Sequence, residues 1–294
     1  ELLAVGIPRF DGGGAVAVFK KVPLGWALQD FLRSTAPHLE DQFGEALDLS
    51  GDVLVIGAPG SDAVRAGAGG VFVHRFDPVT GSWPREAVLN SVDVTVAGAG
   101  AAVSVHDDTI VFGTTSNRVD TYRLVSGSWH EHTPLLASDP NNTSFGDAVA
   151  VHDDLLVVAD DRHSIPGASK AGRVYTFARN GLGWDAGATL ELPIPTSTAV
   201  HFGEEIDLHG NWLIAGAHHN DSATSQPGGM AHVYELDTDG TVLQHQQLAP
   251  VPGAASDAFG RGVSIRGTRL LVGAPNENID VGGVYQYDLD AVTG

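Results

Sequence analysis

Short apolar runs separated by Gly- and Asp-containing links recur along the whole chain. No stretch holds apolar positions at a 3.6-residue period between helix caps. The pattern therefore predicts many short strands and almost no helix. Ala46-Leu47-Asp48-Leu49, Ser50-Gly51-Asp52 and Val53-Leu54-Val55-Ile56 read as strand, tight turn and strand. Equivalent turns fall at His106-Asp107-Asp108, His152-Asp153-Asp154, His209-Gly210-Asn211 and Arg266-Gly267-Thr268. Such links suit short hairpins, which fix register and length. The second strand of each pair is nearly all apolar, as in Leu155-Leu156-Val157-Val158. That is expected of a strand buried on both faces between neighbouring sheets.

The hairpins belong to a repeat. Phe43-Gly44 is followed by Gly57-Ala58-Pro59, Phe145-Gly146 by Ala159-Asp160-Asp161, Phe202-Gly203 by Gly216-Ala217-His218, and Phe259-Gly260 by Gly273-Ala274-Pro275. A degenerate copy has Ala99-Gly100 and Gly113-Thr114-Thr115, and Gly6-Ile7-Pro8 is what remains of a first copy. The two landmarks lie 14 residues apart in all five complete pairs. A third strand follows, marked by Gly-x-Val-Tyr-x-aromatic or a variant, with anchors Phe19, His74, Tyr122, Phe177, Tyr234 and Tyr287. A fourth begins near Trp26, Trp83, Trp129 and Trp184, with Val242 in that place in the fifth copy. Six residues after each stands Leu32, Leu89, Leu135, Leu190 or Leu248. An even interval predicts that both side chains share one face of the strand.

Four antiparallel strands per unit of 46–57 residues is the pattern of a propeller blade. The fold class predicted is all-β, a β-propeller of four-stranded antiparallel blades forming one domain over residues 1–294. The six copies run over about 1–41, 42–97, 98–143, 144–200, 201–257 and 258–294. The first copy begins at its second strand and the last stops after its third, so 22 strands are expected. This suggests a fragment of a longer protein, with six or seven blades in the intact ring. Length varies most, from 9 to 18 residues, between the Gly-Ala-Pro glycine position and the third-strand anchor. Loops of variable length on a rigid scaffold are where binding usually resides. In a propeller the strand two–three loops share a face with the links from blade to blade.

Composition narrows the function classes. With 16 Lys and Arg and a net charge of −20, the chain lacks the basic concentration that nucleic acid requires. The most apolar region, around residues 87–105, is interrupted by Asn90 and Asp93, so no membrane insertion is expected. There are no cysteines, which excludes disulfides, zinc–thiolate sites and cysteine nucleophiles.

A Phe-Gly strand start with Gly-Ala-Pro 14 residues later, repeated, resembles the FG-GAP repeat of integrin α-subunit propellers and of secreted bacterial proteins. The Trp-marked fourth strand is more similar to the bacterial type. The resemblance covers nearly the whole chain. It implies a propeller used for adhesion or ligand recognition, often as a module of a larger surface protein. Many integrin-type repeats carry a calcium loop between strands one and two. Here that link supplies at most two carboxylates, as in Asp107-Asp108 or Asp153-Asp154. Calcium wants six to eight oxygen ligands, so no metal or other cofactor is expected from these turns.

Three stretches carry candidate chemistry. Asp160, Asp161, Arg162 and His163 replace Gly-Ala-Pro in the fourth copy, and their carboxylates and guanidinium suit either sugar hydroxyls or an internally paired loop. Asp62 and Arg65 in the second copy invite the same two readings. His218, His219 and Asp221 combine imidazoles with a carboxylate. Adjacent histidines on a strand-like segment point apart, which favours a solvated polar loop over a shared ion. The tryptophans, fixed in the blade, are read as packing between blades. No Gly-x-Ser-x-Gly elbow, phosphate loop or His-Glu-x-x-His is present, so no catalytic residue is assigned and no enzyme is expected. The reading is an extracellular or cell-surface recognition or adhesion module for a protein or glycan, working alongside further domains of the same protein. Its alternatives are a carbohydrate-active propeller, lectin or hydrolase, and a structural spacer.

Overall fold

The computed structural model describes residues 1–34, 40–137, 144–192, 200–218, 221–222, 226–249, 258–277 and 281–289, with backbone alone at 221–222 and 226–227. The chain divides into two units, Glu1–Leu136 and Ala137–Gly294; the first contains three sheets and the second three larger sheets and one two-stranded hairpin. In the first, copy 1 forms β1 (Leu2–Ile7), β2 (Ala15–Val22) and β3 (Gly25–Leu32). Copy 2 forms β4 (Leu47–Ser50), β5 (Val53–Ala58), β6 (Gly70–Arg75) and β7 (Arg85–Leu89). Copy 3 forms β8 (Val103–His106), β9 (Thr109–Thr114), β10 (Arg118–Val125), β11 (Ser128–Glu131) and β12 (Leu135–Leu136).

In the second unit, copy 4 forms β13 (Ala148–His152), β14 (Leu155–Asp160), β15 (Arg173–Asn180) and β16 (Gly183–Leu190). Copy 5 forms β17 (Ile206–His209), β18 (Trp212–Ala217), a small hairpin of β19 (Asp221–Ser222) and β20 (Gln226–Pro227), then β21 (Met230–Leu236) and β22 (Val242–Leu248). Copy 6 forms β23 (Gly262–Arg266), β24 (Arg269–Ala274) and β25 (Gly283–Asp288). Every sheet is an antiparallel meander in chain order. These are propeller blades, and all the expected strands form.

The hairpin turn explains its own composition. Ser50 faces Val53, His106 faces Thr109, and His209 faces Trp212, which leaves two-residue loops. The first loop residue is left-handed, with φ of 59° at Gly51, 50° at Asp107 and Asp153, and 60° at Gly210 and Gly267. Glycine and aspartate tolerate that region best. The second strand is buried on both faces in the interior copies. Val53 and Val55 of β5 enter the core shared with copy 3, while Leu54, Ile56 and Ala58 enter the core shared with copy 1. In the second unit, Leu213, Ala215 and Ala217 of β18 face copy 4, and Ile214 faces copy 6.

The 14-residue interval is a hydrogen bond. The second residue of each Phe-Gly pair donates its N–H to the carbonyl 13 residues on: Gly44 to Gly57 at 2.9 Å, Gly100 to Gly113 at 3.0 Å, Gly146 to Ala159 at 2.9 Å, Gly203 to Gly216 at 2.8 Å and Gly260 to Gly273 at 2.9 Å. The glycines also set the spacing between copies. A Cβ on Gly6, Gly57 or Gly216 would stand 2.1, 2.1 or 2.0 Å from the carbonyl oxygen of Gly44, Gly100 or Gly260 in the next copy. At these three junctions backbone packs on backbone, while between copies 4 and 5 Ala159 holds this position and its Cβ faces Gly203.

Strand four departs from expectation. Trp26 pairs with Lys21 but Leu32 with Val16; Trp184 pairs with Arg179 but Leu190 with Val174; Val242 pairs with Leu236 but Leu248 with Ala231. Partners five residues apart lie on opposite faces, so the Trp and Leu positions do not share one. A one-residue irregularity in each register causes the reversal. In copy 3 the fourth strand is interrupted, giving β11 and β12, each paired with β10. The tryptophans are accordingly not uniform packing residues. Trp83 is buried at 2% exposure, whereas Trp26 is 46% exposed. Trp184 lies under the Arg179 guanidinium, 4.6 Å from the ring centroid. Trp129 donates its indole N–H to Glu86 of the previous copy at 2.7 Å.

Candidate functional site

The positions flanking Phe-Gly carry different residues from copy to copy, and Gly-Ala-Pro, kept in copies 2 and 6, is replaced in copies 3, 4 and 5. The residue before Phe-Gly accepts a turn hydrogen bond from the residue after it, at Gln42 and Glu45, Ser144 and Asp147, His201 and Glu204, and Ala258 and Arg261. The turn brings these two positions to one spot. His201 has φ of 55°, and so do Gln42 (57°) and Ala258 (54°) within narrow limits. The left-handed backbone therefore belongs to the scaffold and not to any chemistry at His201.

Where copies 4 and 5 meet, these corner positions are filled with ionisable groups. Asp160 and Asp161 occupy the Ala and Pro positions of copy 4, and both are buried. The Ser144 hydroxyl lies 2.7 Å from Asp160 Oδ1 and 2.9 Å from Asp161 Oδ1. Ser144 Oγ also accepts the Arg162 N–H at 3.0 Å. A hydroxyl has one proton, so it serves one of the two carboxylates at a time. Asp161 Oδ2 lies 2.8 Å from His201 Nδ1 of copy 5. Glu204 Oε2 in turn lies 3.3 Å from Nδ1 of His218, which holds the Pro position of copy 5.

The electrostatics are lopsided. The Arg162 side chain is more than half exposed, and its Nε lies 3.8 Å from Asp161 Oδ2. His163 is buried with Nδ1 3.4 Å from Asp160 Oδ2. Asp147 stands at the Phe-Gly corner of copy 4. Loss of hydration, then the negative charge of Asp161, push its carboxyl up to about 6. Asp161, His201 and Glu204 together offer one imidazole and two carboxylates whose ligand atoms lie within 4.8 Å of one another.

Of the residues singled out in the sequence, Asp160, Asp161, Arg162, His163 and His218 converge here. Asp62 and Arg65 lie in the first unit, Asp62 bonded within its own loop and Arg65 to the link that follows strand four. Asp62 Oδ1 accepts the Gly67 N–H at 2.6 Å, and Arg65 donates to the Val96 carbonyl at 2.6 Å. His219 lies outside the described residues, and Asp221 is described as backbone, in β19. Sequence reading missed Ser144, Asp147, His201 and Glu204. Their signal was weak: the positions flanking Phe-Gly are polar or charged in copies 4 and 5, but Gln42 and Glu45 in copy 2 are so too, and only the exchange of Pro for Asp161 and His218 sets copies 4 and 5 apart from it.

A second recurrent contact ties neighbouring blades. Asp48 Oδ2 accepts from Ser104 Oγ at 3.0 Å and Val105 N at 2.7 Å. Asp207 Oδ2 accepts from Ser264 Oγ at 3.0 Å and Ile265 N at 2.8 Å. Both aspartates lie on the first strand of one copy and reach the first strand of the next.

The FG-GAP repeat family model matches residues 37–74 and 242–287. The first span runs through the first three strands of copy 2; the second joins the fourth strand of copy 5 to the first three of copy 6. No curated protein matches the chain.

Proposed function

Starting from a chain that is an FG-GAP repeat β-propeller, we propose that it is an extracellular or cell-surface recognition module without catalytic activity. Its contact surface is the set of strand two–three loops and blade-to-blade links. The observation that carries this is the corner shared by copies 4 and 5. There the scaffold positions held by Pro59 and Pro275 elsewhere become Asp161 and His218. The residues around them bring Ser144, Asp161 and His201 into one hydrogen-bonded set, with the Glu204–His218 pair within 4.8 Å of it through Glu204. Copies 1, 2 and 6 keep proline at this position. Acidic and imidazole groups beside the exposed Arg162 suit hydroxyl-rich or charged partners, which are glycans or polar protein surfaces.

The test is an array of immobilised glycans together with surface proteins, read for binding, and a polysaccharide hydrolysis assay on the same protein. Binding without turnover, weakened at least several-fold by Arg162→Ala, is the expected result. Turnover would overturn the non-catalytic reading in favour of a carbohydrate-active propeller. Silence in both assays would favour a spacer.

A further inference from the structure

We propose that Asp161, His201 and Glu204 bind a divalent transition-metal ion, zinc by preference, at the corner where strand two of copy 4 meets the Phe-Gly turn of copy 5. The donor set is one imidazole and two carboxylates within 4.8 Å of one another. Calcium and magnesium favour all-oxygen shells, whereas imidazole selects zinc and its neighbours.

The geometry is close to formed. His201 Nδ1 and Asp161 Oδ2 stand 2.8 Å apart in a hydrogen bond, whose proton is released to solvent as the ion binds. Neighbouring donors around an ion with bonds of about 2.0–2.1 Å are separated by roughly 3.0–3.4 Å. Glu204, the most exposed of the three at 37%, closes the set from the solvent side.

Two further observations point to a cation. Asp160 and Asp161 are both buried, share the single proton of Ser144, and have an Arg162 guanidinium no closer than 3.8 Å to Asp161. The buried Asp160 Oδ2 accepts no hydrogen bond, with His163 Nδ1 3.4 Å away. The ligands are also braced from behind, Asp161 by Ser144 and Glu204 by His218. Bracing of this kind orients first-sphere groups in metal sites. Three protein donors leave a coordination position for an outside oxygen. The inference is independent of whether the loops recognise a glycan or a protein, and neither reading falls with the other.

The experiment uses the whole 294-residue chain stripped of metal. Zinc is titrated by calorimetry, and cobalt(II) by visible absorption, which reports the coordination shell directly. The expected result is one saturable site, with ligand-field bands on cobalt loading. Glu204→Gln and His201→Gln should each weaken binding at least ~10-fold, a loss of the size that even outer-sphere changes cause. Asp62→Asn, in the other unit, should leave it unchanged. Zinc should raise the melting midpoint of the parent but not of Glu204→Gln, and the two proteins should melt alike without metal. Absence of saturable binding overturns the proposal, as does binding undiminished in both variants.

Discussion

Gly216→Ala tests whether backbone contact sets the distance between blades. In a strand interior, alanine is favoured over glycine by about 0.5–1 kcal/mol, because glycine loses more freedom on folding. Without a collision the substitution therefore stabilises. With the structure as it stands, the new Cβ lies 2.0 Å from the Gly260 oxygen and 3.1 Å from its carbonyl carbon. A relaxed carbon–oxygen contact needs roughly 3.3 Å, so the strand of copy 6 must retreat by about 1 Å. A gap of that size forfeits a quarter to a half of each contact across it. The core it opens contains Ile214, Val233, Leu248, Phe259, Ile265 and Val272. Overpacking of this kind costs about 1–3 kcal/mol, which outweighs the alanine gain and decides the sign.

The same repeat position supplies the control. A Cβ on Gly273 would meet nothing nearer than the Gly262 oxygen at 3.5 Å, so Gly273→Ala should be neutral or stabilising by up to about 0.5–1 kcal/mol. Urea unfolding followed by tryptophan fluorescence and circular dichroism gives both midpoints, with the slope checked for constancy. The reasoning is refuted if Gly216→Ala is as stable as the parent, or if Gly273→Ala is equally damaging.

Two further outcomes are expected. Asp207→Ala removes the acceptor of the buried Ile265 N–H and should cost about 1–3 kcal/mol. A double-mutant cycle with Ser264→Ala should show coupling of at least about 0.5 kcal/mol, and additivity would rule out the clasp. His232 is buried against the Phe202 ring, and burial, then the charge of His245, lower its imidazole to about 3. The folded state thus binds a proton less readily than the unfolded state. The stability His232 contributes is complete above pH 6.5 and declines as pH falls toward 3. Two units below 6.5 this amounts to about 2–3 kcal/mol, so His232→Gln should flatten the acid limb of a stability–pH curve. An unchanged curve would count against burial as the cause.

The repeat was legible in the chain because its signals are local. A two-residue turn needs a left-handed residue, hence Gly51, Asp107 or Gly210. A strand packed on both faces needs unbroken apolar residues, hence Leu155–Val158. The Phe-Gly and Gly-Ala-Pro landmarks stand at a constant interval because a backbone hydrogen bond joins them. Strand four was misread for the opposite reason. Its irregularity leaves no residue signature, so the even count from Trp184 to Leu190 promised one face and the register delivered two.

The number of repeat copies, strand order and the loops of variable length were therefore determined by the sequence alone, through turn chemistry and apolar patterning within each copy. The site was decided by tertiary structure. His201 and Asp161 are 40 residues apart and meet because consecutive copies stack Phe-Gly corner against Gly-Ala-Pro corner. No pattern within either copy encodes that meeting, since it depends on the close approach of Gly172 in copy 4 to the Phe202 backbone of copy 5.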